Sequence, residues 1–525
     1  KRPPRALAEA LAEGFPRDPE VFERVDVAGG GFINFHYARP FLNGLPARIQ
    51  ADGPDFGRSD RGAGIAILVE YVSANPTGPL NVVSARAAAV GATLIRLLRA
   101  TGHAAEGEFY VNDAGSQVEL LGESLAARFA ERVGERRTFP EGGYQGRYLG
   151  ELADGLLEAD ARRALAAGGG TGWFRDQALE RMLAWQKRDL DDYGAEFAAW
   201  FRESSLHRSG AVEATLRALE AAGMTYRASV PEVDRRQGGE PGDAHGDGDA
   251  TGEDATYLRT TRFGDDVDRV VMRSDGRPTY LLPDIAYHRD KRARGFRHAI
   301  DLWGPDHHGY VPRMKASLSA LGIEPDFLEV LIVQQVNLVS GGQPVKMSKR
   351  AGEFITLRDL MDDVGADCAK FFFLMRSTSA HLDFDLDLAR RQNDENPAYY
   401  VQYAHARISS ILRFASERGA AAGGGAGNYA EEEERTLLRK LAAFPEIVRG
   451  AAEAREPHRL PTYLVELSGV FHRFYHHCRV VTDDADLTRA RLDLCAASAT
   501  VLRNGLGLMG VSAPERMERA AETVP

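Results

Sequence analysis

Apolar positions fall into two spacings that divide this chain. Ile65-Ala-Ile-Leu-Val-Glu-Tyr-Val, Ala299-Ile-Asp-Leu-Trp and Leu328 to Val336 are short, largely apolar runs, and Glu106 to Val111 reads as a further strand among them. Such runs predict strands buried on both faces, and Val270-Val-Met-Arg reads as a further strand of the same sheet. After the first run, Val83, Ala87, Val90, Leu94 and Leu97 recur at the 4, 3, 4, 3 spacing of an apolar helix face. Strand, turn, helix and strand make a βαβ unit. Its first turn, Asn75-Pro-Thr-Gly-Pro, lies where such folds bind phosphates.

Residues 116–230 are mostly helical in pattern and read as an insertion between the halves of the sheet. Residues 1–62 mix a short amphipathic helix (Ala6 to Gly14) with strand-like Gly31 to Tyr37, and end in a polar linker, Gly53 to Gly64. Beyond Asn396 the pattern is helical, broken by the connector Gly419 to Gly427. The expected fold class is α/β: a Rossmann-type parallel-sheet domain over 63–395, a small α+β domain over 1–62 and an α-helical bundle over 396–525.

Composition adds limits. A length of 525 residues calls for three or four domains, and no stretch of about 18 apolar residues suggests a membrane span. The chain begins at Lys1, so a preceding segment is expected to be missing. Three cysteines without paired spacing suit a reducing cytoplasm and argue against structural zinc. A net charge of −11 disfavours nucleic-acid binding on totals, although one basic face would suffice. Arg289-Asp-Lys-Arg-Ala-Arg-Gly-Phe-Arg-His reads either as part of such a face or as a solvated helix surface. The acidic glycine-rich run Gln237 to Asp254 does not fit a calcium-loop pattern and reads as a flexible surface loop.

The most informative run is Gly341-Gly-Gln-Pro-Val-Lys-Met-Ser-Lys-Arg-Ala-Gly-Glu-Phe-Ile-Thr. Lys346 and Lys349 flank the small hydroxyl of Ser348 on a loop edged by glycines. Two ammonium groups there can neutralise charge that builds up as pyrophosphate leaves. The bland reading is a solvated basic turn.

That loop is similar to the Lys-Met-Ser-Lys-Ser signature of class I aminoacyl-tRNA synthetases, and the chain resembles the bacterial arginyl-tRNA synthetases. The resemblance also rests on Val69-Glu-Tyr-Val-Ser-Ala-Asn-Pro-Thr-Gly-Pro-Leu, Phe109-Tyr-Val-Asn-Asp-Ala-Gly, Pro283-Asp-Ile-Ala-Tyr-His, Trp303-Gly-Pro-Asp-His-His-Gly-Tyr and Tyr399-Tyr-Val-Gln-Tyr-Ala-His-Ala-Arg. It implies ATP-dependent activation of L-arginine, with Mg2+ accompanying the ATP, and transfer to tRNA(Arg) in the cytoplasm. It also implies that adenylate formation needs bound tRNA. A monomer is expected.

The resemblance carries roles onto particular residues. Ser73, Asn75, Glu203, Tyr280 and Asp284 would hold arginine, the two carboxylates accepting from its guanidinium. Gly78, Pro79, Asn81, Ser84, Asp306, His307, His308, Lys346, Met347 and Lys349 would line the ATP site. Lys346, Ser348, Lys349, Asn81 and Ser84 would act on the phosphates. Adjacent His307 and His308 do not suggest a metal, and no metal ligand is assigned. Residues 1–62 would meet the outer corner of the tRNA and residues 396–525 its anticodon, with Tyr399, Tyr403 and Arg407 offering rings and a cation to unpaired bases. Tyr400 and His405 share that stretch, and at helical spacing some of these side chains must be core.

One departure stands out. Where the family carries His-x-Gly-His, this chain has Asn81-Val82-Val83-Ser84. Asn81 and Ser84 keep neutral donors and the helix start keeps free N–H groups, but Val83 stands where adenine would approach. A second reading is therefore a synthetase-derived protein that binds tRNA or arginine without charging. The lysine loop, both pocket carboxylates and the helical C-terminal region speak against it. A class I enzyme for another amino acid conflicts with the two carboxylates.

Overall fold

The amphipathic pattern at the start of the chain forms α1 (Pro4–Gly14), followed by an antiparallel hairpin, β1 (Phe22–Ala28) and β2 (Phe32–Tyr37). A helix absent from the sequence reading follows, α2 (Arg39–Asp52), which carries one proline in its first turn and Pro46 inside it. Those prolines hid it, because proline normally ends a helical pattern. The computed structural model describes residues 2–167, 171–229, 254–345, 355–423 and 427–517. It divides into two compact units, one of Arg61–Ala369 and Arg376–Asp387, the other of Lys1–Asp60, Lys370–Met375 and Leu388–Pro525.

The larger unit is built on a parallel sheet. Its strands are β3 (Ala66–Glu70), β4 (Ala104–Val111), β5 (Ala199–Arg202), β9 (His298–Trp303) and β10 (Leu328–Ile332), in the spatial order β10-β9-β3-β4-β5. Chain order reverses between β3 and β9, so a crevice opens at their carboxyl ends. Helix α3 (Val82–Ala100) joins β3 to β4 and is buried nearly all round, with Val90, Leu94 and Leu97 inside as the spacing predicts. Val82 rather than Val83 is its first fully buried residue.

Three expectations change. Helices α4 (Ser116–Arg132), α5 (Tyr148–Asp154), α6 (Glu158–Ala166) and α7 (Thr171–Tyr193) form the insertion, which therefore stops before residue 199, where β5 rejoins the sheet beside β4. The four residues of β5 are too few to stand out against helical pattern. After β5 come α8 (Glu203–Arg208) and α9 (Ala211–Ala221). The Val270 run is β8 (Arg269–Met272), and it lies in a separate antiparallel sheet with β6 (Thr225–Ser229) and β7 (Asp254–Leu258). The Leu328 run splits: β10 ends at Ile332, and β11 (Val336–Ser340) starts another sheet with β12 (Gln343–Pro344) and β13 (Leu382–Asp385). A run of apolar residues cannot report such a change of partner. Most of the acidic run 237–254 lies outside the described residues.

In the smaller unit, helices Pro397–Ser416, Glu432–Ala442, Phe444–Glu453, Arg459–His477 and Ala485–Leu508 follow the predicted helical region. Helix α2 packs into this unit. Asn504 donates to the carbonyls of Gly53 and Phe56 at 2.9 and 3.1 Å, and the Phe56 ring stacks on Phe444.

Close packing around α3 gives a stability prediction. Tyr71, at the end of β3, is fully buried, stacks on Phe197 at 4.2 Å and donates to the Glu196 carbonyl at 2.7 Å. Its ring lies where a Cβ on Gly91 would stand. Gly91→Ala would ordinarily favour a helix by about 1 kcal/mol. Here it is expected to destabilise by about 1–3 kcal/mol, because the ring is held at both ends. Urea unfolding checks this, and a variant as stable as the parent would contradict the packing.

Candidate active site

The site is assembled at the carboxyl ends of β3, β4, β5 and β9. Immediately after β3 the backbone enters the left-handed region at two non-glycine residues, Val72 (φ 68°) and Ser73 (φ 38°). Such positions are sparsely populated and persist only where surroundings enforce them. Here the Ser73 hydroxyl donates to Glu70 Oε1 at 2.9 Å and accepts the Tyr110 N–H at 3.1 Å. Asn75 is exposed, its amide donating to Gln117 at 3.0 Å. The turn continues through half-buried Gly78 and Pro79. Two insertion residues hold it by its main chain: Gln186 donates to the Gly78 carbonyl at 2.8 Å, and the Tyr148 hydroxyl donates to that of Thr77 at 2.6 Å.

Asn81 then caps α3, its side-chain oxygen accepting from Val83 N and Ser84 N at 3.0 and 3.1 Å. This corrects the expectation of a free helix start, since two of its N–H groups are already satisfied. The Ser84 hydroxyl stays free of hydrogen bonds among the described residues. Leu80 and Asn81 pair with the segment after the lysine loop: Leu357 N donates to Leu80 O at 2.7 Å, and Asn81 faces Thr356 in an antiparallel bridge. Thr356 opens the helix Leu357–Val364 with a capping box to Asp359. Lys346, Met347, Ser348 and Lys349 lie outside the described residues. The strand pair β11–β12 leads to the loop, and Thr356 follows it.

Two carboxylates enter from opposite sides of the chain order. Glu203 is the first residue of α8, oriented by Asp113 at the end of β4, which accepts from both the N–H and the hydroxyl of Ser204. Asp284 stands in the first turn of α10 (Leu281–Ala293) and accepts the Tyr310 hydroxyl at 2.8 Å. Burial, with the Asp284 charge adding to it, pushes the Glu203 carboxyl up to about 7. Burial raises Asp284 as well, against the Tyr310 hydrogen bond. Among the described residues neither is ion-paired to a lysine or arginine, and the one basic side chain in contact with Glu203 is His207, at 3.7 Å. The arrangement is short of a cation. Tyr280 precedes α10 and is 60% exposed, so the ring against Asp284 is that of Tyr310. Asp306, His307 and His308 form an exposed turn after β9.

Beneath the carboxylates, one member of the run read either as a basic face or as a solvated helix surface turns inward, while Arg289, Arg294 and Arg297 stay exposed. Lys291 is fully buried, donating to Glu70 at 2.6 Å and to both oxygens of Asp301 at 2.9 and 3.1 Å. Arg294 grips Glu108 through two bonds of 2.7 and 2.8 Å. In the smaller unit, Tyr399 and His405 are buried, which makes them packing residues, while Tyr400, Tyr403 and Arg407 are half-buried. The Arg407 guanidinium lies over the Tyr403 ring at 4.9 Å.

Known proteins fit this architecture. The arginine–tRNA ligase of Symbiobacterium thermophilum is 44% identical over 528 residues, covering 98% of this chain and 89% of the relative. The chain belongs to the arginine–tRNA ligase family. An arginyl-tRNA synthetase structure from Campylobacter jejuni, described as putative, has 32% identity and a TM-score of 0.80, covering 91% of this chain and 100% of that one. The Thermus thermophilus arginyl-tRNA synthetase shares the fold, with a TM-score of 0.74 at 22% identity, covering 98% of this chain and 92% of that one. The model of the arginyl tRNA synthetase N terminal domain matches residues 1–37, and that of the DALR anticodon binding domain matches residues 401–517.

For an arginine–tRNA ligase, several residues at the site escape sequence reading. Tyr110 and Tyr310 lie inside two of the stretches that carry the resemblance but have no charge to mark them. Gln186 and Tyr148 sit in helices whose pattern reads only as packing, and Glu70 reads as part of an apolar strand. Asn81→Ala is expected to destabilise by about 1 kcal/mol through the lost cap, whereas Ser84→Ala leaves the cap intact and stability near parental. Thermal denaturation of the two variants separates them, and equal melting temperatures would rule out the capping role.

Proposed function

We propose that this chain activates L-arginine with ATP and transfers it to the 3′ end of tRNA(Arg), using the crevice between β3 and β9. The arginine carboxylate attacks the α-phosphate of ATP, forming arginyl-adenylate and releasing pyrophosphate. The terminal ribose hydroxyl of the tRNA then attacks the mixed anhydride, and AMP leaves. ATP enters as its Mg2+ complex, a substrate without a dedicated protein cage. The reaction needs no covalent enzyme intermediate, so positioning and charge neutralisation carry it.

The observation that carries the reading is the pair of carboxylates, buried Glu203 and half-buried Asp284, in contact with no lysine or arginine among the described residues. A guanidinium is the cation whose planar donors suit two carboxylates at once. Ser73 and Asn75 would hold the amino-acid end, with exposed Tyr280 at the mouth. Gly78, Pro79, the Asn81 amide, the Ser84 hydroxyl and the turn Asp306-His307-His308 would face ATP, and Lys346, Met347, Ser348 and Lys349 would close on its phosphates. Residues 1–62 and 396–525 would serve the tRNA, with Tyr403 and Arg407 on its bases, and 63–395 the chemistry. A cytoplasmic monomer accords with this role. The non-charging alternative has less support, because the family relatives span nearly the whole chain.

Asp284→Asn is expected to cost about 3–5 kcal/mol in transition-state binding of arginine, since it leaves a buried guanidinium half-paired. An unchanged KM and kcat for arginine would place the pocket elsewhere. The pH dependence follows from Glu203, whose carboxyl ionises near 7 in the free protein. Below that pH, binding the guanidinium must expel a proton. The arginine KM should therefore fall as pH rises towards 7, by up to about tenfold per unit, and level off above it. Calorimetry at pH 6 in buffers of different ionisation enthalpy should register the released proton, and a buffer-independent heat would contradict the assignment. Lys349→Ala should slow pyrophosphate exchange by about 100-fold or more with little change in tRNA affinity. Collapse of tRNA binding with exchange intact would make the loop an RNA contact instead.

A further inference from the structure

Lys291 is the one wholly buried ammonium among the described residues, and it sits under the proposed arginine site without touching it. Its partners come from three elements. Glu70 ends β3, Asp301 lies in β9, and the Tyr287 ring of its own helix stands 4.3 Å from Nζ. Ammonium donors are thus matched by two carboxylates and a ring face, which is what allows a charge to be buried there. Further groups complete the surroundings. His288 faces the Asp284 carbonyl with one ring nitrogen and Asp301 with the other, both at 2.8 Å. The Tyr287 hydroxyl donates to Glu108 at 2.6 Å, and Arg294 neutralises Glu108 from the protein edge. Tyr110 carries its phenol near Glu70, Glu203 and Asp284.

The two carboxylates on Lys291 are not equivalent. Asp301 has both oxygens on the ammonium, with His288 added. Glu70 gives one oxygen to the ammonium and the other to Ser73. Ser73 belongs to the backbone segment that stands in the left-handed region, two residues before Asn75. Nothing else among the described hydrogen bonds ties the Ser73 side chain except the Tyr110 N–H.

We infer that Lys291 is a positioning residue for arginine: its ammonium holds the Glu70 carboxylate aimed at Ser73, and that bond holds the strained turn carrying Asn75. The inference rests on the proposed assignment of Ser73 and Asn75 to the amino-acid end of the substrate. Burial raises the Glu70 carboxyl while the ammonium opposes that rise, so removing the ammonium leaves Glu70 free to take a proton. A protonated Glu70 can turn its oxygen away from Ser73, and the turn then relaxes.

Lys291→Met in the full chain tests this by arginine-dependent pyrophosphate exchange with tRNA present, across pH. The expected result is an arginine KM raised by about tenfold or more with a smaller change in kcat, and an acid limb of kcat/KM moved up by about a unit or more. A merely structural lysine would lower the concentration of active sites and the melting temperature while leaving KM and the acid limb parental. That outcome overturns the inference. Glu70→Gln should raise KM similarly, and adding Lys291→Met to it should change KM by no more than about twofold, because both act through one bond. Effects that multiply would overturn it too. The double variant carries no uncompensated Glu70 charge, so it serves where Lys291→Met alone fails to fold, and a parental KM in it is equally decisive against the role. Asp284→Asn run alongside separates the two levels. If it raises KM while Lys291→Met does not, the pocket stands and the positioning role falls. If neither does, both fall.

Discussion

A single enclosed ammonium organises the larger unit. Lys291 has no exposed surface, and the strands β3 and β9 on either side of the crevice each present it with a carboxylate. Taking a lone charge out of water would cost several kcal/mol, so α10 can pack against the sheet only where both acids meet it. That requirement sets where α10 sits along the sheet, and with it the height of Asp284 above the strand ends. Removing any one partner would leave the others as buried, unbalanced charges. The cluster therefore behaves as a key that admits one arrangement of helix on sheet.

Legibility in the sequence followed local physics. The largely apolar runs of β3, β9 and the first half of the Leu328 run were visible because strands buried on both faces need apolar residues nearly throughout. The helix α3 was visible through its spacing, although its burial all round exceeds what one stripe implies. Partner choice was invisible. Val270 reads like any other strand residue, and only long-range pairing shows that it belongs with β6 and β7. Within the basic run at 289–298 most cations lie at the surface, but charge counts say nothing of which side chains find buried acids, and Lys291 and Arg294 both did.

At the site, residue type was readable and orientation was not. Glu203 and Asp284 stand at the ends of β5 and the start of α10, and their shortage of a cation partner is a property of the fold. Asn81 shows the limit most clearly. A side chain considered for its donors is engaged through its acceptor, as the cap of α3. The amide can still donate, so a helix cap and a phosphate contact are compatible in one residue.

The grip of the insertion on the first turn has a consequence for how this site tolerates change over evolutionary time. Gln186 and Tyr148 address carbonyl oxygens of Gly78 and Thr77, and Leu357 addresses that of Leu80. Every residue possesses a carbonyl, so these bonds are blind to which side chains follow. The backbone course into α3 is thereby insured against substitution in the tetrapeptide at its head. Drift at Asn81-Val-Val-Ser can alter what the motif donates to a ligand while the path of the chain beneath it stays put.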